Sequence, residues 1–570
     1  MPKLNKKNLL IIFFLGAIFF IAVVVWYSPV IFKGYPIQTI GKEMILARNY
    51  HLAGVLADQN NLNITIAPSL VKNEGRPLVL SEYLGSFFYA KIFNLFGVPS
   101  YNNLILLSII LYALVLVLFA VLILYLFGFK VAIVFSLIYI FSPIGWGLAY
   151  ALAEYEFCLI FLALFFIFYF VGLKKEEKTD KSKLNNLFFV VSGIFLALSA
   201  LSSEAILVFV LAFFIFLFFK KHRKQLIYIF VPFVVLLIVF WLPSVLSGEN
   251  RYISLFAQKA PEKSLFSVYT HVFPDPYTYH FEKEEFLKTF ESQNLGWSEN
   301  LETKKVLTNF GFEGIGLFGR IKVGFYILSQ HISRFFSLED FGGPIFALLL
   351  ILGLFYFKNK NKFIYQLSLY WLIISFFVFA FIVLVSRNHL MDFIWLIILL
   401  ITAGLFYLLQ IVKDYFRLSE KKSLIFDLLI IVLILYHLVL VNHIVLGRQY
   451  DKDFVPRSMA YAQEVKKIEI RDKDVIAVPG DFPEQASTLN YLTDKSFVVF
   501  RASTLEKLLK EEKIKKAFEA FGVKYIMGYP DDLSKRLTDG AGIINIASDS
   551  LEINKESLSQ NKSFLMNLIR

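Results

Sequence analysis

The sequence predicts a polytopic α-helical membrane protein with a soluble α/β domain at its C-terminal end. Of its 570 residues, 57% are hydrophobic, and the mean hydropathy is +0.63. Soluble domains are about 45–50% apolar even when glycine is counted. Long apolar runs recur up to Leu446, and from about Arg448 the composition becomes that of a soluble protein. These features make a membrane protein the default class.

The apolar runs predict about eleven transmembrane helices. A span needs about 20 mostly apolar residues. The segments that approach or reach this length are Leu9–Tyr27, Leu104–Phe127, Val131–Ala149, Phe157–Leu173, Leu187–Leu201, Ala205–Phe219, Leu226–Leu246, Pro344–Phe357, Phe363–Val385, Phe393–Val412 and Leu424–Leu446. The first has a basic start and no small-residue cleavage site after it, so it is interpreted as a retained signal anchor.

Lysine-bearing breaks between the apolar runs predict the orientation in the membrane. Cytoplasmic loops retain Lys and Arg. The stretches predicted to be cytoplasmic are Lys3–Lys7, Lys130, Lys174–Lys183, Lys220–Lys224, Lys358–Lys362 and Lys413–Lys422. The long loops 28–103 and 247–343 and the C-terminus are then extracytoplasmic, and the N-terminus lies inside. The same rule accounts for the net charge of +12, because the cationic side chains concentrate at the cytoplasmic ends of the spans, beside the membrane lipids. Nucleic acid is therefore not predicted as a partner.

Residues 1–447 are predicted to form the transmembrane domain, and residues 448–570 a separate extracytoplasmic α/β domain. Short buried strands are predicted at Val475–Val478, Phe497–Phe500, Val523–Met527 and Ile543–Ala547. Helices are predicted at Ser503–Phe521 and Asp531–Leu537. Strands that alternate with helices favour a parallel sheet. We expect this domain to act as a lid or as a module that docks the acceptor.

Ionisable residues near the outer ends of the predicted spans are the candidate functional residues, because charge at membrane depth is costly. They come from separate loops, yet the predicted topology places all of them on the extracytoplasmic side. They are Glu43, Arg48, Arg76, Glu156, Glu204, Arg387 and His389. The middles of the spans are nearly free of charge, which favours an outward-facing cavity over the midplane site of a transporter.

Such a cavity suits glycosyl transfer from a lipid-phosphate donor. Arginine, lysine or histidine would bind the donor phosphate, with arginine offering bidentate geometry. A carboxylate would act as general base and take the proton from an acceptor hydroxyl as it attacks the anomeric carbon. Single displacement by this route inverts the anomeric configuration. No cofactor and no metal site is predicted, and a requirement for a divalent metal stays open.

Several segments, in order along the chain, carry a family resemblance. Residues Gly41–Asn49 (GKEMILARN) follow the first span, and Arg76-Pro77-Leu78 and Phe93–Gly97 follow later in the same loop. Glu156 begins a span, and Arg387-Asn388-His389 precedes a late one. This arrangement resembles the GT-C superfamily of integral-membrane glycosyltransferases, in particular the branch of protein O-mannosyltransferases and the aminoarabinose transferase of lipid A.

The resemblance implies an inverting glycosyltransferase of a prokaryotic cell membrane. It would move a sugar from a polyprenyl-phosphate donor to a protein, lipid or glycan acceptor on the outer face. Only Glu43 stands where members usually carry an Asp-Glu pair. Two alternatives therefore stay open: a non-catalytic scaffold that keeps the fold, and a transporter or flippase of lipid-linked sugars.

The resemblance also implies roles for the candidate residues. Glu43 would be the general base, and Glu156 would orient the acceptor or the sugar. Arg387 and His389 would bind the donor phosphate. Each also has a structural interpretation, such as a solvated carboxylate for Glu43 or a polar turn for Arg387 and His389. The further substrate-binding residues would be Arg48, Arg76 and Glu204.

Overall fold

The structure, a computed structural model, describes most of the predicted membrane helices and much of the C-terminal region. The described ranges are 5–31, 64–65, 101–142, 155–178, 183–203, 206–220, 222–246, 342–378, 394–450, 461–471, 474–479, 492–500, 502–510, 514–541 and 543–546, together with a few isolated positions.

A described helix overlaps each segment that the sequence predicts as a span. These helices are α1 (Lys6–Ile31), α2 (Tyr101–Phe127), α3 (Phe129–Phe141), α4 (Tyr155–Lys178), α5 (Lys183–Ser202), α6 (Ile206–Phe219), α7 (Arg223–Leu246), α8 (Pro344–Lys360), α9 (Lys362–Phe377), α10 (Ile394–Phe416) and α11 (Glu420–Tyr450). Among the described residues, six helices are long and apolar enough to cross a membrane, namely α1, α2, α4, α7, α10 and α11. That all eleven cross it stays a prediction.

Two of the sharp breaks between helices follow from local chemistry. Gly128 separates α2 from α3 with a φ of +92°, a conformation that glycine adopts without steric cost. Asn361 separates α8 from α9, and its side-chain oxygen accepts a hydrogen bond from the backbone N–H of Ile364 at 3.1 Å. This is the usual N-cap bond of asparagine. Both breaks lie beside lysines of the predicted cytoplasmic face.

Glycines bring α8 and α10 into backbone contact. A Cβ atom on Gly353 would overlap the carbonyl oxygen of Leu400, and one on Gly404 would overlap that of Leu349. Small residues at such a crossing let two membrane helices approach closely, where van der Waals contact holds them together. The α8–α10 pair is therefore a fixed part of the bundle.

An aromatic cluster fills the centre of the bundle and joins five helices. Trp395 of α10 stacks on Phe119 of α2 at 4.8 Å between ring centroids and meets Phe166 of α4 at 4.9 Å. Trp371 of α9 lies 5.6 Å from Trp395 and 4.3 Å from Phe209 of α6. Aromatic pairs at these separations add to the energy of burial, so the middle of the bundle is apolar and closely packed.

The C-terminal region contains a five-stranded sheet. Its strands are β1 (Ile64–Thr65), β2 (Val475–Pro479), β3 (Ser496–Phe500), β4 (Val523–Met527) and β5 (Ile544–Ile546), in the order β1-β3-β2-β4-β5. The pairs β2–β3, β2–β4 and β4–β5 are parallel. Strands β2 to β5 overlap the four predicted strands. The position of this region outside the membrane stays a prediction.

Helices accompany the sheet, and one prediction about them is wrong. They include α12 (Ala502–Lys510), α13 (Ile514–Phe521) and α14 (Asp531–Ala541), and residues 461–466 are helical as well. The sequence predicts a single helix over Ser503–Phe521, whereas the structure has α12 and α13. The charged run 511–513 interrupts the apolar face, and Glu512 adopts a left-handed backbone with a φ of +55°, which ends α12.

The edge strand β1 comes from the first predicted outer loop, far from the rest of the sheet in sequence. It pairs antiparallel with β3, with Ile64 opposite Val498 and Thr65 opposite Phe497. Residues Ile64–Thr65 of that loop therefore belong to the same sheet as the strands of the C-terminal region. The pairing also means that the sheet is not built from residues 448–570 alone.

Candidate functional site

Glu156 is the predicted site residue that the structure describes. It lies in the first turn of α4, and its side chain is completely buried. The partial positive charge of a helix N-terminus favours an acidic residue there. The other predicted site residues lie outside the described residues: Glu43, Arg48, Arg76, Glu204, Arg387 and His389.

A hydroxyl from a second helix holds the Glu156 carboxylate. Ser108 of α2 donates a hydrogen bond from Oγ to Oε1 of Glu156, with 2.5 Å between the two oxygens. Both residues are fully buried. Burying a carboxylate is costly unless it is hydrogen-bonded or paired. Glu156 is therefore a specifically placed group, whereas a solvated surface carboxylate would need no such partner.

Tyr139, near the end of α3, carries another polar group in the interior of the bundle, and the residue is completely buried. Its hydroxyl makes no hydrogen bond with any described residue. Phe19 of α1 packs edge-on against the Tyr139 ring at 5.7 Å. Ser108 of α2 and Glu156 of α4 thus form one buried polar cluster.

The cluster lies at the end of the bundle where α2 and α4 begin and where α1, α3 and α11 finish. We call this the loop end, because the long segments 28–103 and 247–343 join the bundle there. Asn442 of α11 donates a hydrogen bond to the carbonyl oxygen of Phe141, the last residue of α3, at 2.6 Å. This bond anchors α11 beside the cluster.

Sequence reasoning missed Ser108, Tyr139 and Asn442. A serine or a tyrosine inside an apolar run is common in membrane helices and gives no local signal of function. Asn442 did offer a signal, because an amide inside a predicted span needs a hydrogen-bond partner. Only the contacts between helices single out Ser108.

The arrangement of Ser108 and Glu156 can orient a ligand. One carboxylate oxygen of Glu156 is held by Ser108, which limits the directions in which the group can accept a hydrogen bond. Among the described residues, no three His, Cys, Asp or Glu side chains lie close enough together to hold a metal ion. A buried and oriented carboxylate is suited to receive a hydroxyl of a sugar or of an acceptor.

Comparison with known proteins identifies the fold. No family model matches the sequence, and no curated protein matches it significantly. The oligosaccharyltransferase of Archaeoglobus fulgidus in its apo form is similar with a TM-score of 0.53 and 13% identity, over 92% of this chain and 69% of that one. The same organism's AglB, in complex with an inhibitory peptide and a dolichol-phosphate, gives 0.50 and 12%, over 90% and 68%.

A third solved structure is a more distant match. ArnT from Cupriavidus metallidurans, bound to undecaprenyl phosphate, has a TM-score of 0.38 and 12% identity, over 95% of this chain and 90% of that one. The two archaeal structures establish the architecture, and the apolar helices establish a multi-pass membrane protein. The chain therefore shares the fold of the archaeal oligosaccharyltransferase structures.

Proposed function

We propose that this protein is an inverting glycosyltransferase that takes a sugar from a polyprenyl-phosphate donor. The acceptor would be a protein, a lipid or a glycan at the extracytoplasmic face. The observation that carries the proposal is the fully buried Glu156 carboxylate at the loop end of a GT-C fold. An ionisable group held at this depth is costly to keep and marks a functional site.

The chemistry follows from the residues assigned to it. Glu43 removes the proton from an acceptor hydroxyl, whose oxygen then forms a bond to the anomeric carbon of the sugar. The bond between that carbon and the donor phosphate breaks, and the phosphate leaves with the electron pair. Arg387 and His389 balance the charge of the phosphate, with Arg48 and Arg76 as secondary contacts. Attack opposite the leaving group inverts the configuration.

Glu156 serves orientation in this scheme. It accepts a hydrogen bond from a hydroxyl of the sugar or of the acceptor and so fixes the angle of attack. Holding two reactants in line lowers the barrier because their freedom of motion is lost before the reaction. Glu204 would add a second acidic contact on the same side of the membrane.

The pairing of β1 with β3 supports a shared compartment for loop and domain. Loop 28–103 carries Glu43, Arg48 and Arg76, and its Ile64–Thr65 strand extends the C-terminal sheet. We propose that the C-terminal domain lies over the site and receives the acceptor. The corresponding test is deletion of residues 448–570. Unchanged activity and unchanged choice of acceptor in the truncated protein would refute this role.

The decisive experiment compares wild type with Glu43→Gln in membranes supplied with polyprenyl-phosphate sugars. We expect the variant to express and bind the donor but to form no covalent product, as judged by mass spectrometry of the acceptor fraction. A non-catalytic scaffold would show no product with wild type either. A flippase would accumulate donor inside vesicles without any new glycosidic bond. Either result would overturn the proposal.

A second measurement identifies the substrates. In cells that lack the gene, the polyprenyl-linked sugar should accumulate while one surface glycan disappears. Mass spectrometry of both pools names the sugar and the acceptor together. An unchanged lipid-linked pool together with an unchanged set of glycans would contradict the proposal.

A further inference from the structure

We propose that Ser108 is a positioning residue of the active site, which acts by holding the Glu156 carboxylate in its working orientation. The inference rests on the proposed function and adds a group that the sequence motifs do not contain. It stands on the contact between α2 and α4 and on the difference between Ser108 and other buried hydroxyls of the bundle.

The hydrogen bond lies in the interior of the bundle. Ser108 Oγ donates to Glu156 Oε1, and both side chains are fully buried. Aromatic side chains exclude water on the α4 side, where Phe157 packs against Phe88 with 5.2 Å between ring centroids. In such a water-poor environment a hydrogen bond is electrostatically stronger than in water.

The partner of the Ser108 hydroxyl distinguishes it from other buried hydroxyls in the membrane helices. A buried serine or threonine commonly bonds to the carbonyl oxygen four residues earlier in its own helix, as Ser136 does with Ala132 at 2.8 Å. Ser192 and Ser199 of α5 reach α4, but their partners there are backbone carbonyl oxygens. The Ser108 hydroxyl reaches an acidic side chain of α4.

A purely stabilising role explains the pair poorly. Replacing a buried polar pair by apolar side chains of similar volume is often neutral or stabilising, so such a pair is weak evidence for stability. Orientation is the property that an apolar pair could not supply. A glutamate side chain has three rotatable bonds, and a fixed hydroxyl on a neighbouring helix selects one direction for its carboxylate before the substrate arrives.

The test measures transfer by wild type, Ser108→Ala, Ser108→Thr and the control Ser136→Ala, each purified in the same detergent. We expect Ser108→Ala to lower kcat about 10- to 100-fold, the loss associated with one hydrogen bond to a charged group. The KM for the lipid donor should stay within about twofold of wild type, because Ser108 makes no donor contact. Ser108→Thr retains the hydroxyl and should recover most of kcat.

Ser136→Ala is the matched control. It also removes a buried hydroxyl, but one that bonds to the backbone of its own helix, so kcat should stay within about twofold of wild type. Equal kcat values for Ser108→Ala and Ser136→Ala would overturn the inference. It would also fall if the loss in Ser108→Ala came entirely from a smaller folded fraction, with an unchanged kcat per folded molecule and no recovery in Ser108→Thr.

The design separates this inference from the proposed function. If wild type forms no glycosylated product from any polyprenyl-phosphate sugar, the proposed function fails. The thermal unfolding of Ser108→Ala, Glu156→Gln and the double variant then still tests the contact, because residues in one hydrogen bond show non-additive effects. If wild type is active and additive unfolding shifts accompany a normal kcat in Ser108→Ala, only the positioning role fails.

Discussion

The loop end and the opposite end of the bundle differ in how deeply their ionisable side chains are buried. At the loop end, Glu156 is completely buried and is held by a hydroxyl from another helix. At the opposite end, which we call the lysine end, Lys413 pairs with Asp427 at 2.5 Å while both side chains keep about a quarter of their surface exposed, 29% and 25%. Lys174 and Lys175 of α4 lie over aromatic rings there, 4.7 and 4.2 Å from the centroids.

This difference separates orientation in the membrane from function. The charges of the lysine end remain near water, contact partners close by and satisfy the rule that cytoplasmic ends are basic. They need no ligand to explain them. The carboxylate of the loop end has given up its hydration inside an apolar bundle, which is expected where a substrate takes part in its coordination. We therefore propose a functional role for the loop end only.

The largest expected effect compares one amide substitution at each end. Glu156→Gln keeps the size of the side chain but replaces its carboxyl group by an amide, and transfer should fall about 100-fold through misorientation of the reactants. Asp427→Asn at the lysine end should leave transfer within about twofold of wild type, since a partly exposed pair contributes little. Both rates are measured on purified protein with the same donor and acceptor.

Equal losses of activity in the two amide variants would contradict a functional role that is confined to the loop end. So would full activity of Glu156→Gln together with reduced activity of Asp427→Asn. The unfolding temperature of each variant serves as the control, because a fall in activity counts only for protein that remains folded.

The sequence predicts the helices of this molecule well, because hydrophobicity acts within each segment and needs no partner. It predicts the buried site poorly, because Ser108 gains its partner only through the contact between α2 and α4. Strand β1 is not predictable from the sequence for the same reason. Its two residues, Ile64 and Thr65, form a strand only because they pair with the edge of β3. The division between α12 and α13 depends on the left-handed backbone conformation of Glu512. A glutamate side chain gives no signal of that conformation.

A substitution midway between the two ends tests whether stability alone explains losses at the site. Gly404→Ala places a methyl group against the carbonyl oxygen of Leu349, and overpacking of this kind costs about 1–3 kcal/mol. We expect a lower unfolding temperature with a normal kcat per folded molecule. Gly172→Ala is the control, since its nearest contacts are atoms of the Phe189 ring at 3.0 and 3.2 Å and of the Phe188 side chain at 3.2 Å, which can shift.

Equal unfolding temperatures for Gly404→Ala and Gly172→Ala would show that α8 and α10 do not approach as closely as described. A selective loss of kcat in Gly404→Ala would instead extend the functional region beyond the loop end. The first result would revise the packing of α8 against α10, and the second would revise the extent of the proposed functional region.

An engineered disulfide tests whether strand β1 of the first loop pairs with strand β3 of the C-terminal region. Ile64 and Val498 are opposite each other in the antiparallel pair of β1 and β3. Cysteines at such positions have the Cα separation that a disulfide requires. The native Cys158 is buried, so the double variant Ile64→Cys with Val498→Cys should cross-link on mild oxidation. A gel-mobility shift that reducing agent reverses measures the bond.

The control for the disulfide pairs Ile64→Cys with Lys524→Cys. Lys524 lies in β4, three strands from β1 in the sheet order, a distance of about 14 Å at the usual strand spacing. It should not cross-link. Equal cross-linking of both double variants would show that loop 28–103 does not pair with β3 in a fixed register, and the structural link between loop and domain would be lost.

The smallest effect concerns the ion pair of the lysine end. A double-mutant cycle with Lys413→Ala and Asp427→Ala should give a coupling of about 0.5–1 kcal/mol in unfolding, because water screens a pair of this exposure. Raising the salt concentration should reduce the coupling further. The coupling energy from the Ser108–Glu156 double-mutant cycle should not change with the salt concentration, because ions do not reach a fully buried contact. If the Lys413–Asp427 coupling proved larger and equally insensitive to salt, burial would no longer distinguish the two ends, and the assignment of function to Glu156 would lose its physical basis.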